Sequence, residues 1–196
     1  MKNFTLPFNF KKENRSAIFF DFDGVLVDSV PLKLKAYQDI FRPFGDDVVK
    51  EITNYHLANG GIDRYRKIQH VLQKFSLPVS QLNILADKFA ELVKEKVIQA
   101  SAIEPMISLA IEFHNQIPIF IVSGTPETEL IEIVNARKWD SYFREVKGSP
   151  MTKPQIINIL LENYNLEKSK CTFIGDATTD FLSARECGLF FLGVPY

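Results

Sequence analysis

"AIFFDFDGVLVDS", residues 17–29, begins with four apolar residues and ends that run in two carboxylates, Asp21 and Asp23, followed by Gly24. A short continuous apolar run bounded by turn-forming residues fits a strand covered on both faces of a parallel sheet. Two acids spaced two apart stand on the same side of an extended chain, and Gly24 permits a sharp exit. Ligands of open α/β sheets bind beyond the C-terminal ends of the strands. Asp21 and Asp23 are therefore candidate site residues at the mouth of a buried strand.

Four more apolar segments read as strands: "IPIFIV" (117–122), "FREVKG" (143–148), "CTFIG" (171–175) and "LFFLGV" (189–194). Helical patterns separate them, with Leu130, Ile131 and Val134 in the first, Ile156, Ile159 and Leu160 in the second, and Phe181, Leu182 and Ala184 in the third. This alternation predicts a doubly wound α/β fold around a parallel sheet. The gap between the first two strands breaks the rhythm, because a crossover needs only about a dozen residues. Residues 31–102 read as helices throughout, with Pro31 suited to a first helical turn and Ile62, Tyr65, Ile68, Leu72 and Phe75 forming an amphipathic stripe. We expect residues 1–30 and 103–196 to form the α/β core and residues 31–102 an inserted, all-helical second domain. "IEPMISLAIEFHN" is then the crossover helix back to the second strand.

The chain has 196 residues, 46% hydrophobic and 24% charged, with a formal net charge of -1. No basic block favours nucleic acid or an anionic membrane as a partner. The start, "MKNFTLPFNFKKENR", has no apolar core of signal-peptide length, and no apolar run approaches the roughly 20 residues of a membrane helix. Two cysteines, Cys171 and Cys187, without a CxxC, suggest neither a disulfide framework nor a zinc site. The expectation is a cytoplasmic protein with two core thiols. Phe4, Phe8 and Phe10 belong to an N-terminal extension that either packs on the core or leads into it as disordered chain. With 17 Phe there is room for an apolar interface, and the oligomeric state is open.

Asp176 and Asp180, in "CTFIGDATTD", follow another strand end. If the two strands are neighbours, three or four acids converge. Two unit charges about 4 Å apart repel by roughly 4 kcal/mol at an effective dielectric of about 20. Such a cluster requires protons, cations or a metal, and oxygen ligands favour Mg2+. "IVSGTPE" offers the Ser123 hydroxyl and the amides of Gly124 and Thr125 at an expected helix start, a place that favours phosphate. "GSPMTKP" sets Lys153 ahead of another helix. A carboxylate, a metal, free amides and a lysine make the set needed for phosphoryl transfer to an aspartate. Taken singly, Asp-Gly is a turn, Ser-Gly-Thr-Pro a helix cap, Asp176 an N-cap and Lys153 a solvated residue. Their succession at strand ends, in this order, carries the argument.

These residues resemble the haloacid dehalogenase superfamily across the whole chain. "DFDGVL" matches its first motif, Ser123 the second, Lys153 the third (with Lys147 a weaker candidate) and "GDATTD" the fourth. A helical insert directly after the first motif is similar to the type I cap of the phosphoglycolate phosphatase and β-phosphoglucomutase branch. The resemblance implies that Asp21 attacks phosphorus to form an aspartyl-phosphate. It implies that Asp23 protonates the leaving alcohol and then deprotonates water. Mg2+ would be held by the Asp21 carboxylate, the Asp23 carbonyl and Asp176, with Asp180 supporting the shell. Ser123, Gly124 and Lys153 would bind the transferring phosphoryl group. An acid at Asp23 favours phosphate esters over haloacids.

Within the insert, "NYHLANGGIDRYRKI" (54–68) is the candidate substrate-reading stretch. Gly60-Gly61 would form a loop aimed at the site. Arg64 and Lys67, off the apolar stripe, would grip the substrate, or else belong to a solvated helix face. His56 and Asn59 are further hydrogen-bonding candidates, whereas His70 and His114 read as structural. The "ANGGIDRYRK" pattern is similar to caps of phosphatases associated with surface-polysaccharide synthesis, which implies a sugar phosphate. The leading expectation is a Mg2+-dependent phosphatase for a small phosphorylated metabolite, such as a sugar phosphate or phosphoglycolate. The alternatives are a phosphomutase of the β-phosphoglucomutase type and a non-catalytic binding module.

Overall fold

The computed structural model describes residues 15–195; the phenylalanines of the N-terminal extension lie outside them. Five strands, β1 (Ala17–Phe20), β2 (Ile119–Pro126), β3 (Glu145–Ser149), β4 (Cys171–Gly175) and β5 (Phe190–Gly193), form one sheet in the order β3-β2-β1-β4-β5. All four pairings are parallel, and Ile18 registers with both Ile119 and Thr172.

β1 is central, and its four residues are completely buried. Its alternation splits them between two cores. Ile18 and Phe20 join Ile119, Ile121 and Ile174 beneath α5 (Glu104–Phe113) and α6 (Glu127–Ala136). Ala17 and Phe19 join Phe120 and Phe173 beneath α7 (Lys153–Asn163) and α8 (Thr178–Cys187). Each large apolar side chain so buried contributes roughly 1.5–3 kcal/mol. The buried cysteines Cys171 and Cys187 belong to the second core, and neither is in a disulfide.

Between β1 and α5 the chain makes four helices: α1 (Val30–Phe41), α2 (Asp46–Ala58), α3 (Arg64–Lys74) and α4 (Gln81–Gln99). Pro31 occupies the first turn of α1, as its fixed φ favours. α1 packs on α2 and α4, and α3 packs on the same two. The exit and re-entry of the chain are tied together: Asp28 N donates to the Ser101 carbonyl (3.0 Å) and Ile103 N to the Leu26 carbonyl (2.9 Å). A second tie comes from Arg137 at the end of α6. Its guanidinium donates to the carbonyls of Val97, Ile98 and Ala100 at 2.9, 2.7 and 2.9 Å, satisfying the C-terminal end of α4.

Three local expectations change. β2 continues to Pro126, so Gly124 and Thr125 lie in extended chain and not in the first turn of a helix. The buried face of α3 is Arg64, Lys67, Ile68, Val71 and Leu72, whereas Tyr65, expected on the apolar stripe, is 40% exposed. Helical spacing alone does not fix which face is covered, and here α3 turns two cations inward. Ile131, Ile159, Phe181 and Leu182 likewise face solvent. α8 buries Asp180, Ser183, Ala184 and Cys187 instead.

Candidate active site

The strand order reverses at β1. Successive strands run outward through β2 and β3, and the chain then returns to β4 on the other side. The crevice beyond that reversal is the favoured ligand position of such sheets. Asp21 directly follows β1 and Asp176 directly follows β4, so the two flank it.

Asp21 is 2% exposed and accepts from its neighbour's amide, Phe22 N, at 2.7 Å. Lys153 Nζ lies 2.9 Å from Asp21 Oδ1 and 2.5 Å from Asp180 Oδ1. Asp180 also accepts from Ala177 N at the start of α8 (3.1 Å). One ammonium thus serves several acids. Carboxylate oxygens of Asp21, Asp176 and Asp180 lie within 4.8 Å of one another. Burial pushes the Asp21 carboxyl well above its ordinary value, against the pull of Lys153, and Asp180, Asp176 and Asp23 add to the rise. Burial and the charge of Asp180 raise Asp176 to about 6. Burial opposes the charge of Lys153, yet Asp180 and Asp21 hold it protonated above the usual lysine range. This surplus of buried acid oxygen over cation is what a hard divalent ion relieves.

The Asp23 carboxylate stands apart from that cluster. It accepts from Lys33 Nζ (2.5 Å), Ser29 Oγ (2.6 Å) and Thr125 Oγ1 (3.1 Å). Burial alone would raise its pKa; the Lys33 charge and these three donors bring it below the ordinary value. Gly24 turns the chain away at φ +78°. Lys33, which also reaches Thr125 Oγ1 at 2.8 Å, was not singled out from sequence. A signal existed: a lysine in the first turn of a helix opposes the helix dipole and calls for a specific anion.

Ser123, 1% exposed, accepts from Thr125 N at 3.1 Å, which sets its hydroxyl in the C-terminal half of β2, three residues before the strand ends. Gly61, at φ +75°, brings the α2–α3 loop onto the core. A side chain at Gly61 would come within 3.2 Å of Lys153 Nζ, and one at Gly124 within 2.5 Å of the Gly61 carbonyl oxygen. The Thr179 hydroxyl donates to the Gly60 carbonyl. The glycine pair therefore lies against the strand-end loops.

A cavity of about 280 Å3 opens between these loops and the helices, lined by Asp21, Asp23, Lys33, His56, Arg64, Lys67 and Asp176 among others. Arg64 reaches across to α6 and pairs with Glu129 (2.5 Å), with its guanidinium over the Phe89 ring. It is thus engaged in holding helices together. Lys67 Nζ sits 3.0 Å from His56 Nδ1. Asn59 turns back to the Tyr55 carbonyl (2.9 Å). His70 bonds Glu51 (2.9 Å) and His114 bonds the Ile111 carbonyl (2.6 Å), and neither lines the cavity. Lys147 pairs with Glu127 and Glu145, leaving Lys153 as the lysine at Asp21.

The arrangement is that of a known class. A sequence profile of the haloacid dehalogenase-like hydrolases matches residues 18–194. The chain belongs to that family. A phosphorylated carbohydrates phosphatase of Thermotoga maritima is 24% identical, the match covering 88% of this chain and 82% of that protein. A phosphoglycolate phosphatase of Vibrio cholerae is 27% identical, covering 91% of this chain and 84% of its own. Among solved structures, a β-phosphoglucomutase of Clostridium difficile superposes with a TM-score of 0.76 at 19% identity, covering 93% and 85% of the two chains. That likeness establishes the shared fold.

Proposed function

We propose that this protein is a Mg2+-dependent phosphatase that hydrolyses a small phosphate monoester, a phosphorylated sugar or a phosphorylated hydroxy acid such as phosphoglycolate, through a phosphoryl group carried on Asp21. The observation that carries the reading is the pairing of two differently held carboxylates at one strand end. Asp21 lies in the acid cluster beside Lys153, and Asp23 is set apart against Lys33, Ser29 and Thr125. Two relatives named as phosphatases support it.

An Asp21 oxygen attacks phosphorus and the bond to the leaving oxygen breaks, with Asp23 giving that oxygen a proton. A water then attacks phosphorus, gives its proton to Asp23, and phosphate leaves Asp21. The ionised Asp23 favoured by Lys33 is the form that takes the proton from water; the first step needs the acid form, which the nearby phosphate dianion promotes by like charge. Ser123 and the Gly124 amide bind phosphoryl oxygens, and Lys153 offsets their charge.

The buried acid surplus fits a Mg2+ ion held by the Asp21 and Asp176 carboxylates and the Asp23 carbonyl, with Asp180 fixed by Lys153 beside it. When bound, the ion supplies charge neutralisation for the phosphoryl oxygens. Residues 31–102 act as a cap over a core of residues 1–30 and 103–196, reading the leaving group and excluding water.

The test is product analysis on a panel of phosphorylated sugars and hydroxy acids with Mg2+. Stoichiometric free phosphate is the expected result. Isomerised sugar phosphate without phosphate release would make the protein a mutase of the same chemistry.

A further inference from the structure

Two of the three ammonium or guanidinium groups lining this cavity have acid partners, Lys33 with Asp23 and Arg64 with Glu129, and Lys153 beneath it is paired with Asp21 and Asp180. Lys67 has none among the described residues, although it is only 3% exposed. Its one hydrogen-bonding partner is a histidine ring. As an ammonium Lys67 can only donate, so with Lys67 charged His56 Nδ1 is the bare nitrogen and Nε2 the one carrying hydrogen. That Nε2 is buried and makes no well-formed hydrogen bond, although the Val30 backbone acts weakly on the ring. A buried cation without a counter-charge is costly, and such groups persist where a ligand completes them. Burial, with Lys33 and Lys153 nearby, lowers Lys67 to about 7 against the opposing pull of Asp23 and Asp21, neither of which pairs with it, while burial and Lys67 lower His56 to about 3.

We propose that Lys67, seated against neutral His56, is the subsite for a carboxylate on the leaving group, so that the substrate is the phosphate ester of a short hydroxy acid. This rests on the phosphatase reading above. The hydroxyls of a neutral sugar would leave the Lys67 charge uncompensated. A second phosphate would bring more charge than one ammonium balances, because Lys33 and Arg64 are already engaged. The cavity, about 280 Å3, is at the small end for ligand sites and suits a leaving group of few atoms. Lys67 is thus a specificity residue, and His56 a positioning residue that orients its ammonium.

The experiment compares kcat/KM for phosphoglycolate and for glycolamide phosphate, the isosteric ester whose leaving group is uncharged, in wild type, Lys67→Met and Lys67→Arg. Wild type should prefer the carboxylate ester by at least about tenfold, the scale of one charged hydrogen bond. The preference should fall to near unity in Lys67→Met, and Lys67→Arg should restore part of it. A preference unchanged in Lys67→Met, or a wild type that favours the neutral ester or a sugar phosphate, overturns the proposal. If no ester is hydrolysed, the phosphatase reading fails. The subsite is then read by glycolate alone: a rise in wild-type Tm that Lys67→Met lacks supports it, and no rise in wild type overturns it. Because an apolar isostere relieves a buried charge, Lys67→Met should itself melt above wild type, which a purely structural lysine would not do.

Discussion

The floor and the roof of the cavity are charged in opposite senses. The floor, at the ends of β1 and β4, gathers Asp21, Asp176 and Asp180 around one lysine, Lys153. The roof, from α1 to α3, contributes Lys33, Arg64 and Lys67. Two of these are spent on acids of the core, Asp23 and Glu129, which also draws the roof down. The difference separates two tasks. On the proposed reading, the excess acid would collect a cation and with it a phosphoryl group, while the spare cation would face the part of the substrate that distinguishes one ester from another.

The sharpest way to break this comparison is to neutralise the acid that the roof holds in place. Asp23→Asn keeps the shape and loses proton transfer. Phosphate release should drop by about 10²–10⁴, the usual contribution of a positioned acid-base group, and Tm should fall as well, because Lys33 loses its acid partner. A drop well under tenfold would separate Asp23 from the chemistry.

A smaller effect is expected from the roof–core tie. Glu129→Gln leaves Arg64 buried and unpaired, at a cost of about 3 kcal/mol in urea unfolding. The double variant Arg64→Met/Glu129→Leu should recover most of that loss. If it recovers nothing, the pair is more than a structural tie.

Next in size is the pH dependence of Lys67. Its folded pKa, about 7, is below that of the unfolded chain, so the unfolded state binds the additional proton between about pH 7 and the ordinary lysine range. Its penalty is fully present below about pH 7 and fades as pH rises. Lys67→Met should therefore gain stability, of order 1–3 kcal/mol at pH 6–7 and less near pH 10. A gain constant across that range would place the effect elsewhere.

The smallest expected change is at the contact between the two regions. Gly61→Ala forces a side chain into a left-handed backbone beside Thr179 and Lys153. It should cost about 1 kcal/mol in stability and lower kcat/KM by a few-fold as the loop withdraws. An unchanged enzyme would mean that the loop need not lie on the core during turnover.

The floor was legible in the sequence because strands are short, their ends are sharp and an acid there has few other uses. Asp21, Asp176 and Lys153 come together where the motifs place them. The roof was less legible. Helical spacing marks a face without saying what covers it, so Arg64 and Lys67 read as off the apolar stripe although both are buried. Lys33 is hard to find for a different reason: its partner, Asp23, is ten positions away and is met only when α1 folds back. Gly124 and Thr125 were assigned to a helix that begins two residues later, because Ser-Gly-Thr-Pro fits a cap and a strand exit equally well.

The most direct measurement is phosphate release from an aryl phosphate by wild type and Asp21→Asn, each with Mg2+ and with a chelator. Release that requires Mg2+ and disappears in Asp21→Asn, by about a thousandfold or more, is the predicted result. Release that persists in the variant, with contaminating phosphatase excluded, would contradict Asp21 as the nucleophile and with it the division of labour between floor and roof.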